Sequence, residues 1–354
     1  MYDYFVVGQG IAGSILGYLL HKAGQKIRII DSGDKNASSV AGALINPITG
    51  KRLSKSWRTD CLIPFAYTFY KKIEKEFNIS VFRSLPLVRV FSSVGQANDW
   101  DSKLLDPAYL SYIWNKAFTP DLSIVDSSFG YAILKHAAYI DSALLMSAFS
   151  DYFKANDLLR HGVFDTIGLA EGSIPSFKNE SARNIIFCDG WQIKNNPLFK
   201  GLPILPSKGD VFTLTIPNLH SFDYILSKGI FLLPLSGNKI RCGSTYRWDD
   251  FTQEPTRGGF EALEQKLKRI LTRPYRILDH QAGIRPGVQD RRPILGRHPY
   301  IKNVYVFGGL GTKGYSLAPF FARQMFDFLI EGTPLEDAVN VKRFYNRLSR
   351  VSCG

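Results

Sequence analysis

The chain opens on an apolar run, Tyr4-Phe5-Val6-Val7, that leads directly into Gly8-Gln9-Gly10-Ile11-Ala12-Gly13. The run reads as a buried parallel strand. The spacing of Ile15, Leu16, Leu19 and Leu20 predicts a helix, with Gly24 as the residue that ends it. In a G-x-G-x-x-G turn each glycine has a mechanical task. Gly8 makes the tight turn, Gly10 lets the backbone approach a pyrophosphate, and Gly13 lets the helix pack closely on the strand. A second apolar run, Ile27 to Ile30, ends at Asp31 and is followed by Ser32. An acid about 20 residues beyond the glycines accepts hydrogen bonds from a ribose hydroxyl. The stretch therefore predicts a β-α-β unit for an adenine dinucleotide, FAD or NAD, with the phosphates at the helix N-terminus. Its candidate contacts are Gly8, Gly10, Ile11, Ala12, Gly13, Asp31 and Ser32.

Composition narrows the remaining choices. A chain of 354 residues, 45% hydrophobic, is long enough for two domains. The four cysteines, at 61, 188, 242 and 353, form no C-x-x-C, which argues against a disulfide framework, a zinc ribbon or a dithiol centre. The six histidines are scattered, so no metal is expected. No leader precedes the glycine motif, and no apolar run reaches the roughly 18 residues of a membrane span, so the expected compartment is the cytoplasm. A net charge of +13 suits a nucleic acid or an acidic membrane, but also a generally basic surface. The densest basic clusters, Lys266 to Arg269 and Arg343 to Arg350, fall on helical patterns, where a solvated face is the ordinary reading.

Further along, residues 38–50 form a loop of small residues expected to lie against the nucleotide, with Ser38, Ser39, Gly42, Ala43, Leu44 and Asn46 as candidate contacts. Cys61, Phe65, Phe69, Ile73 and Phe77, spaced by four, predict a helix with an aromatic core stripe, and Pro64 either kinks it or marks its first turn. Residues 162–164 read as a short extended piece. Asn184 to Cys188 reads as a buried strand ending at Asp189-Gly190. From 205 to 244 the pattern is β-rich, with Ser236-Gly237-Asn238 as a hairpin turn, and Tyr246, Arg247 and Trp248 follow it as candidate pocket walls. Finally, Val304 to Phe307 leads into Gly309-Leu310-Gly311-Thr312-Lys313-Gly314, a second G-x-G-x-x-G. A second nucleotide fold would need another strand ending in an acid, and none follows. The second turn is therefore read as approaching the same cofactor from its other end.

With both ends in view, the sequence resembles the D-amino-acid oxidase (DAO) family of FAD-dependent oxidoreductases. The resemblance rests on the first glycine turn with Asp31, the 38–46 loop and Cys188-Asp189-Gly190. It closes on Gly283-Ile284-Arg285-Pro286, Asp290, Pro293 to Gly296, and Gly309 to Pro319. The closing motif looks most like the FAD domain of the bifunctional enzyme that modifies the tRNA wobble uridine.

The resemblance implies an α/β fold, with a discontinuous Rossmann-like FAD-binding domain over 1–84, 137–200 and 283–354. An α+β substrate domain with a β-rich antiparallel sheet would cover 85–136 and 201–282. It also implies FAD chemistry on a C–N bond, by hydride transfer to flavin N5. Arg285 would bind a substrate carboxylate, unless it is a structural partner of Asp290 or Asp279. Lys313 and Tyr246 join it as candidate catalytic residues, and Val163, Asp189, Gly190, Gly309, Gly311, Thr312 and Gly314 as cofactor contacts. Some relatives attach FAD through a cysteine just before the Arg-Pro pair. Gly283 stands near that position here and the closest cysteine is Cys242, so non-covalent FAD is expected. The substrate is then a small amine or amino acid. The alternatives are an amino-acid-like group on a tRNA base, or flavin binding without turnover. The electron acceptor is left open.

Overall fold

The computed structural model describes residues 1–219 and 222–348; Cys353 and the end of the basic run Arg343–Arg350 lie outside the described residues. The chain divides into two compact units: Met1–Ser39, Ala143–Ser207 and Ile284 onward, and Val40–Ser142 with Lys208–Gly283.

The first unit is built on a largely parallel sheet. Strand β1 (Tyr2–Val7) lies between β2 (Ile27–Asp31) and the strand Glu180–Phe187, parallel to both. Leu159–His161 extends the sheet beyond β2, and Val304–Gly308 then Ile294–Arg297 extend it on the other side. Phe5, Val6, Ile29 and Ile30 are fully buried, as both-sided cover of a parallel sheet requires. Helix α1 (Ile11–Lys22) packs on this sheet and against the closing helix Gly314–Ile330. A Cβ at Gly13 would lie 2.0 Å from the Gly8 carbonyl oxygen, and one at Gly17 2.5 Å from Ile29 Cδ1, so both glycines are what bring α1 close. Enclosing Ile15, Leu16 and Leu20 completely stabilises the packing by about 1.5–3 kcal/mol per side chain. The extended piece expected at 162–164 falls instead at Leu159–His161, in register with Ile29–Asp31.

The second unit carries a seven-stranded sheet in the order 276–288, 204–215, 239–243, 230–234, 225–228, 87–90 and 131–134; its first two strands cross the unit boundaries along the chain. The hairpin at Ser236-Gly237-Asn238 joins antiparallel strands as its sequence predicts. Residues 40–84 and 137–142, placed with the FAD-binding domain by the sequence reading, lie in this unit. The reason is a small sheet in which Leu44 pairs with Tyr139 and Phe82 with Ile140. The 38–50 stretch is likewise not a plain loop: it holds the end of a short helix, Ala37–Val40, and the strands Leu44–Ile45 and Ile48–Thr49.

Two other expectations change. Helix Thr59–Phe77 buries Leu62, Ala66, Phe69, Tyr70 and Ile73, while Cys61, Phe65 and Phe77 are only half-buried. A spacing of four outruns the 3.6-residue turn, so its ends drift off the core face, and Pro64 sits inside the helix, not at its first turn. Arg343 is no solvated residue: its Nε donates to Asp290 Oδ2 at 2.9 Å and its Nη2 to the Pro293 carbonyl at 2.8 Å.

Candidate cofactor site

Gly8 stands at φ +97°, and a Cβ there would lie 2.7 Å from the Cys188 carbonyl oxygen, so the tight turn requires glycine on both counts. The turn is braced from the end of β2. Asp31 Oδ2 accepts the Gln9 amide at 2.6 Å, and its Oδ1 accepts the Gly33 amide at 2.8 Å. Each carboxylate oxygen has a second lone pair, so Asp31 can brace the turn and still accept a ribose hydroxyl. Gly10 caps α1 without a side chain, and a Cβ there would meet only Ser38 Oγ, at 3.3 Å. That is an open cradle of the kind a pyrophosphate needs. The Ser38 hydroxyl accepts the Ile11 amide at 2.9 Å. Asn36 places Ser38: its Oδ1 accepts the amides of Ser38 and Ser39, both at 3.1 Å. The sequence reading missed Asn36, although Asn followed by Ser-Ser is a capping pattern. Ser32 turns outward and donates to Asp34 at 2.8 Å.

The second glycine turn meets the first within the same unit. A Cβ at Gly314 would lie 3.5 Å from Ile11 Cγ2, and Tyr315 Oη donates to the Ser38 carbonyl at 2.7 Å. Gly309 is held at φ +71° against Val288, and Gly311 to Lys313 form a single 3₁₀ turn before the closing helix. Thr312 is exposed. Burial, and then the charges of Arg291 and Arg292, hold the Lys313 ammonium below the usual lysine range, which marks this corner as electropositive. Among the described residues no nucleotide strand follows the closing helix, so the second motif opens no second fold.

A third element closes in from the strand Glu180–Phe187. The Cys188 amide donates to the Val7 carbonyl at 2.7 Å, which sets Asp189 beside Gly8. Asp189 is half-buried as a residue, yet its Oδ1 is wholly enclosed and has no hydrogen-bond partner. Burial raises its carboxyl to about 7, against smaller opposing effects of its own backbone amide and the Asn196 side chain. Gly190 follows at φ +63°. Val163 is 82% exposed just beyond Leu159–His161, where the Gly162 amide bonds the Asp31 carbonyl at 2.9 Å.

The other candidates divide between the two units. Gly42, Ala43, Leu44 and Asn46 lie in the second unit with local duties. A Cβ at Gly42 would collide with the Phe231 ring at 2.3 Å, Leu44 is in a strand, and Asn46 Oδ1 accepts the Ile48 amide at 3.0 Å. Tyr246 also belongs there, half exposed and stacked on Trp248 at 6.3 Å between ring centroids. The Arg247 guanidinium bonds Thr256 at 3.1 Å and faces Asp249 and Asp250. Arg285 is half-buried in the first unit. Among the described residues no three His, Cys, Asp or Glu side chains could hold a metal.

A parallel sheet with a glycine turn at β1, an acid ending β2 and a second glycine turn returning to the same place is the arrangement of a dinucleotide-binding fold. The chain belongs to the DAO family of FAD-dependent oxidoreductases, which it matches over residues 3–327. It is 22% identical to the glycine oxidase of Bacillus licheniformis over 361 aligned positions, covering 95% of this chain and 94% of that one. It is 28% identical over 194 positions to the tRNA 5-methylaminomethyl-2-thiouridine biosynthesis bifunctional protein of Idiomarina loihiensis, covering half of this chain and 30% of that protein. The crystal structure of glycine oxidase from Geobacillus kaustophilus superposes over the whole chain with a TM-score of 0.80 at 20% identity. The protein is thus an FAD-dependent oxidoreductase, and no helix among its described residues is long and apolar enough to cross a membrane.

The cradle at Gly10 and the enclosed Asp189 oxygen fit a bound dinucleotide at the first turn. We expect the FAD to be held without a covalent bond: Cys188 and Cys242 are buried, with thiols pushed far up by burial, which opposes the thiolate needed for attachment. Acid precipitation should leave the yellow colour in the supernatant. Flavin fluorescence on the precipitated chain would contradict this.

Proposed function

We propose that the protein oxidises the C–N bond of a small amino acid or secondary amine to the imine. The observation that carries this reading is the meeting of the two glycine turns in the first unit, through Gly314 on Ile11 and Tyr315 on Ser38. Bound FAD supplies a two-electron acceptor for the hydride that leaves the carbon next to nitrogen. The chain supplies binding and electrostatics. Gly8 to Gly13 hold the phosphates and Asp31 the ribose. The amides around Gly309 to Gly314, with the Lys313 ammonium among Arg291 and Arg292, favour negative charge at the cofactor's far end. Arg285 presents a planar fork of donors to the substrate carboxylate.

A second reading, oxidation of an amino-acid-like group on a tRNA base, is favoured by the net charge of +13 and by the match to the tRNA-modifying relative. One experiment separates the two: anaerobic flavin reduction by glycine, sarcosine, D-amino acids, carboxylate-free amines and tRNA between about 50 and 200 mM salt. Several phosphate contacts would make the tRNA reaction fall by orders of magnitude over that range. A carboxylate held by one arginine in a closed pocket would vary little. Arg285→Ala should lower kcat/KM for carboxylate substrates about 10- to 100-fold, from a lost charged hydrogen bond of roughly 1.5–3 kcal/mol, with flavin content unchanged. Loss of FAD from that variant, or equal losses on carboxylate-free amines, would assign Arg285 a structural role instead.

A further inference from the structure

We infer that the Asp189 carboxyl couples one proton to cofactor occupancy: the neutral acid retains FAD at the first glycine turn, and its ionisation favours release. The inference rests on the reading that the FAD pyrophosphate lies in the Gly8–Gly13 turn. Three observations carry it. Asp189 directly follows the residue whose carbonyl packs on Gly8; its own Cα would be 3.0 Å from a Cβ there. Its Oδ1 is enclosed without a hydrogen-bond partner, an arrangement an ionised carboxylate tolerates poorly and a neutral carboxyl tolerates far better. The groups that oppose its neutral form are themselves uncharged. They are its own backbone amide and the Asn196 side chain, and burial outweighs both. From the β1–α1 turn, Gly8, Gln9 and Gly10 bring no charge. Among the described residues, no lysine or arginine charge contributes to its ionisation.

The consequence follows from linkage. With its carboxyl raised to about 7, Asp189 is neutral in mildly acidic solution and ionises as pH rises through neutrality. A pyrophosphate carries two negative charges that do not titrate in this range. Placed beside Asp189, it raises the carboxyl further, so FAD binding takes up a proton above pH 7 and affinity falls with rising pH. The limiting slope is about tenfold in Kd per pH unit for one coupled proton.

The test is reconstitution of the apoprotein with FAD, with Kd read from flavin fluorescence between pH 5.5 and 8.5. Wild type should bind at least about tenfold more weakly at pH 8.5 than at pH 6.5, and Asp189→Asn should give a flat profile with affinity near the wild-type acid limit. A second readout needs no variant: a pH-indicator dye in weak buffer at pH 7.5 should register proton uptake as FAD is added to wild type. A wild-type Kd independent of pH with no proton uptake would overturn the inference, as would an Asn variant with the wild-type slope. Gly10→Val serves as the control for the underlying reading. If that variant loses FAD at every pH while wild type shows no pH dependence, the turn holds the cofactor and the Asp189 inference alone falls. If it binds FAD normally, the site reading falls and the inference with it.

Discussion

Gly10→Val should yield a folded, colourless protein. The backbone at Gly10 is extended, φ −73° and ψ −178°, which valine adopts readily, and the new Cβ meets only Ser38 Oγ at 3.3 Å. Stability of the apoprotein should therefore stay within about 1 kcal/mol of the parent. The isopropyl group nevertheless fills the space the pyrophosphate needs, and FAD affinity should drop on the order of a thousandfold or more, about 4 kcal/mol. Gly13→Ala is the counterpart. Its Cβ would be 2.0 Å from the Gly8 carbonyl oxygen, a backbone atom that cannot yield without moving the turn. That variant should fail to fold. Circular dichroism, flavin content and a reconstitution titration check both, and a yellow Gly10→Val protein would refute the assignment of the turn.

The second large effect is expected in the other unit. Lys208 is fully buried, and its ammonium donates to Asp250 Oδ2 at 2.9 Å, Thr252 Oγ1 at 2.8 Å and the Glu254 carbonyl at 2.7 Å. Lys208→Met leaves Asp250, 13% exposed, with only the Arg247 guanidinium at 3.6 Å and should cost about 3–5 kcal/mol. Replacing both partners, Lys208→Met with Asp250→Leu, should recover most of that loss. Burial alone would raise the Asp250 carboxyl, but Lys208 and the Thr252 hydroxyl and amide outweigh it and hold it at about 2. A depressed carboxylate contributes stability that is present above its unfolded value and lost as pH falls through the folded one. Wild type should therefore lose stability between about pH 4 and pH 2, and Lys208→Met should lose less over that window. Urea unfolding followed by tryptophan fluorescence measures both; a single variant as stable as wild type would deny the buried pair its role.

What was legible in the sequence was what single residues dictate locally. Gly8 and Gly309 require left-handed backbone, Gly13 a close approach, and Asp31 a strand end, so both turns could be found without coordinates. Pairings between distant short segments could not. Leu44–Ile45 is a two-residue strand whose partner lies at Ala138–Ile140, and no periodicity marks so short an element. That pairing groups the stretch after Ser39 with the second unit, where its sequence alone suggests the first. Side-chain burial was equally silent. Neither Lys208 nor the enclosed Asp189 oxygen differs in sequence from an ordinary surface charge.

The interleaving of the two units also sets an order of events during synthesis. Strand β1 leaves the ribosome first, but its parallel partner is Glu180–Phe187, and that strand in turn needs Val304–Gly308. The cofactor half therefore cannot close its sheet until Val304–Gly308 has been made. Its earliest apolar strands must wait through the synthesis of the whole other half, and parallel pairing across such long sequence separations is slow. Nascent chains should consequently depend on holding factors over that interval. Truncation at the C-terminal end should also be more damaging than its distance from the first glycine turn along the sequence suggests.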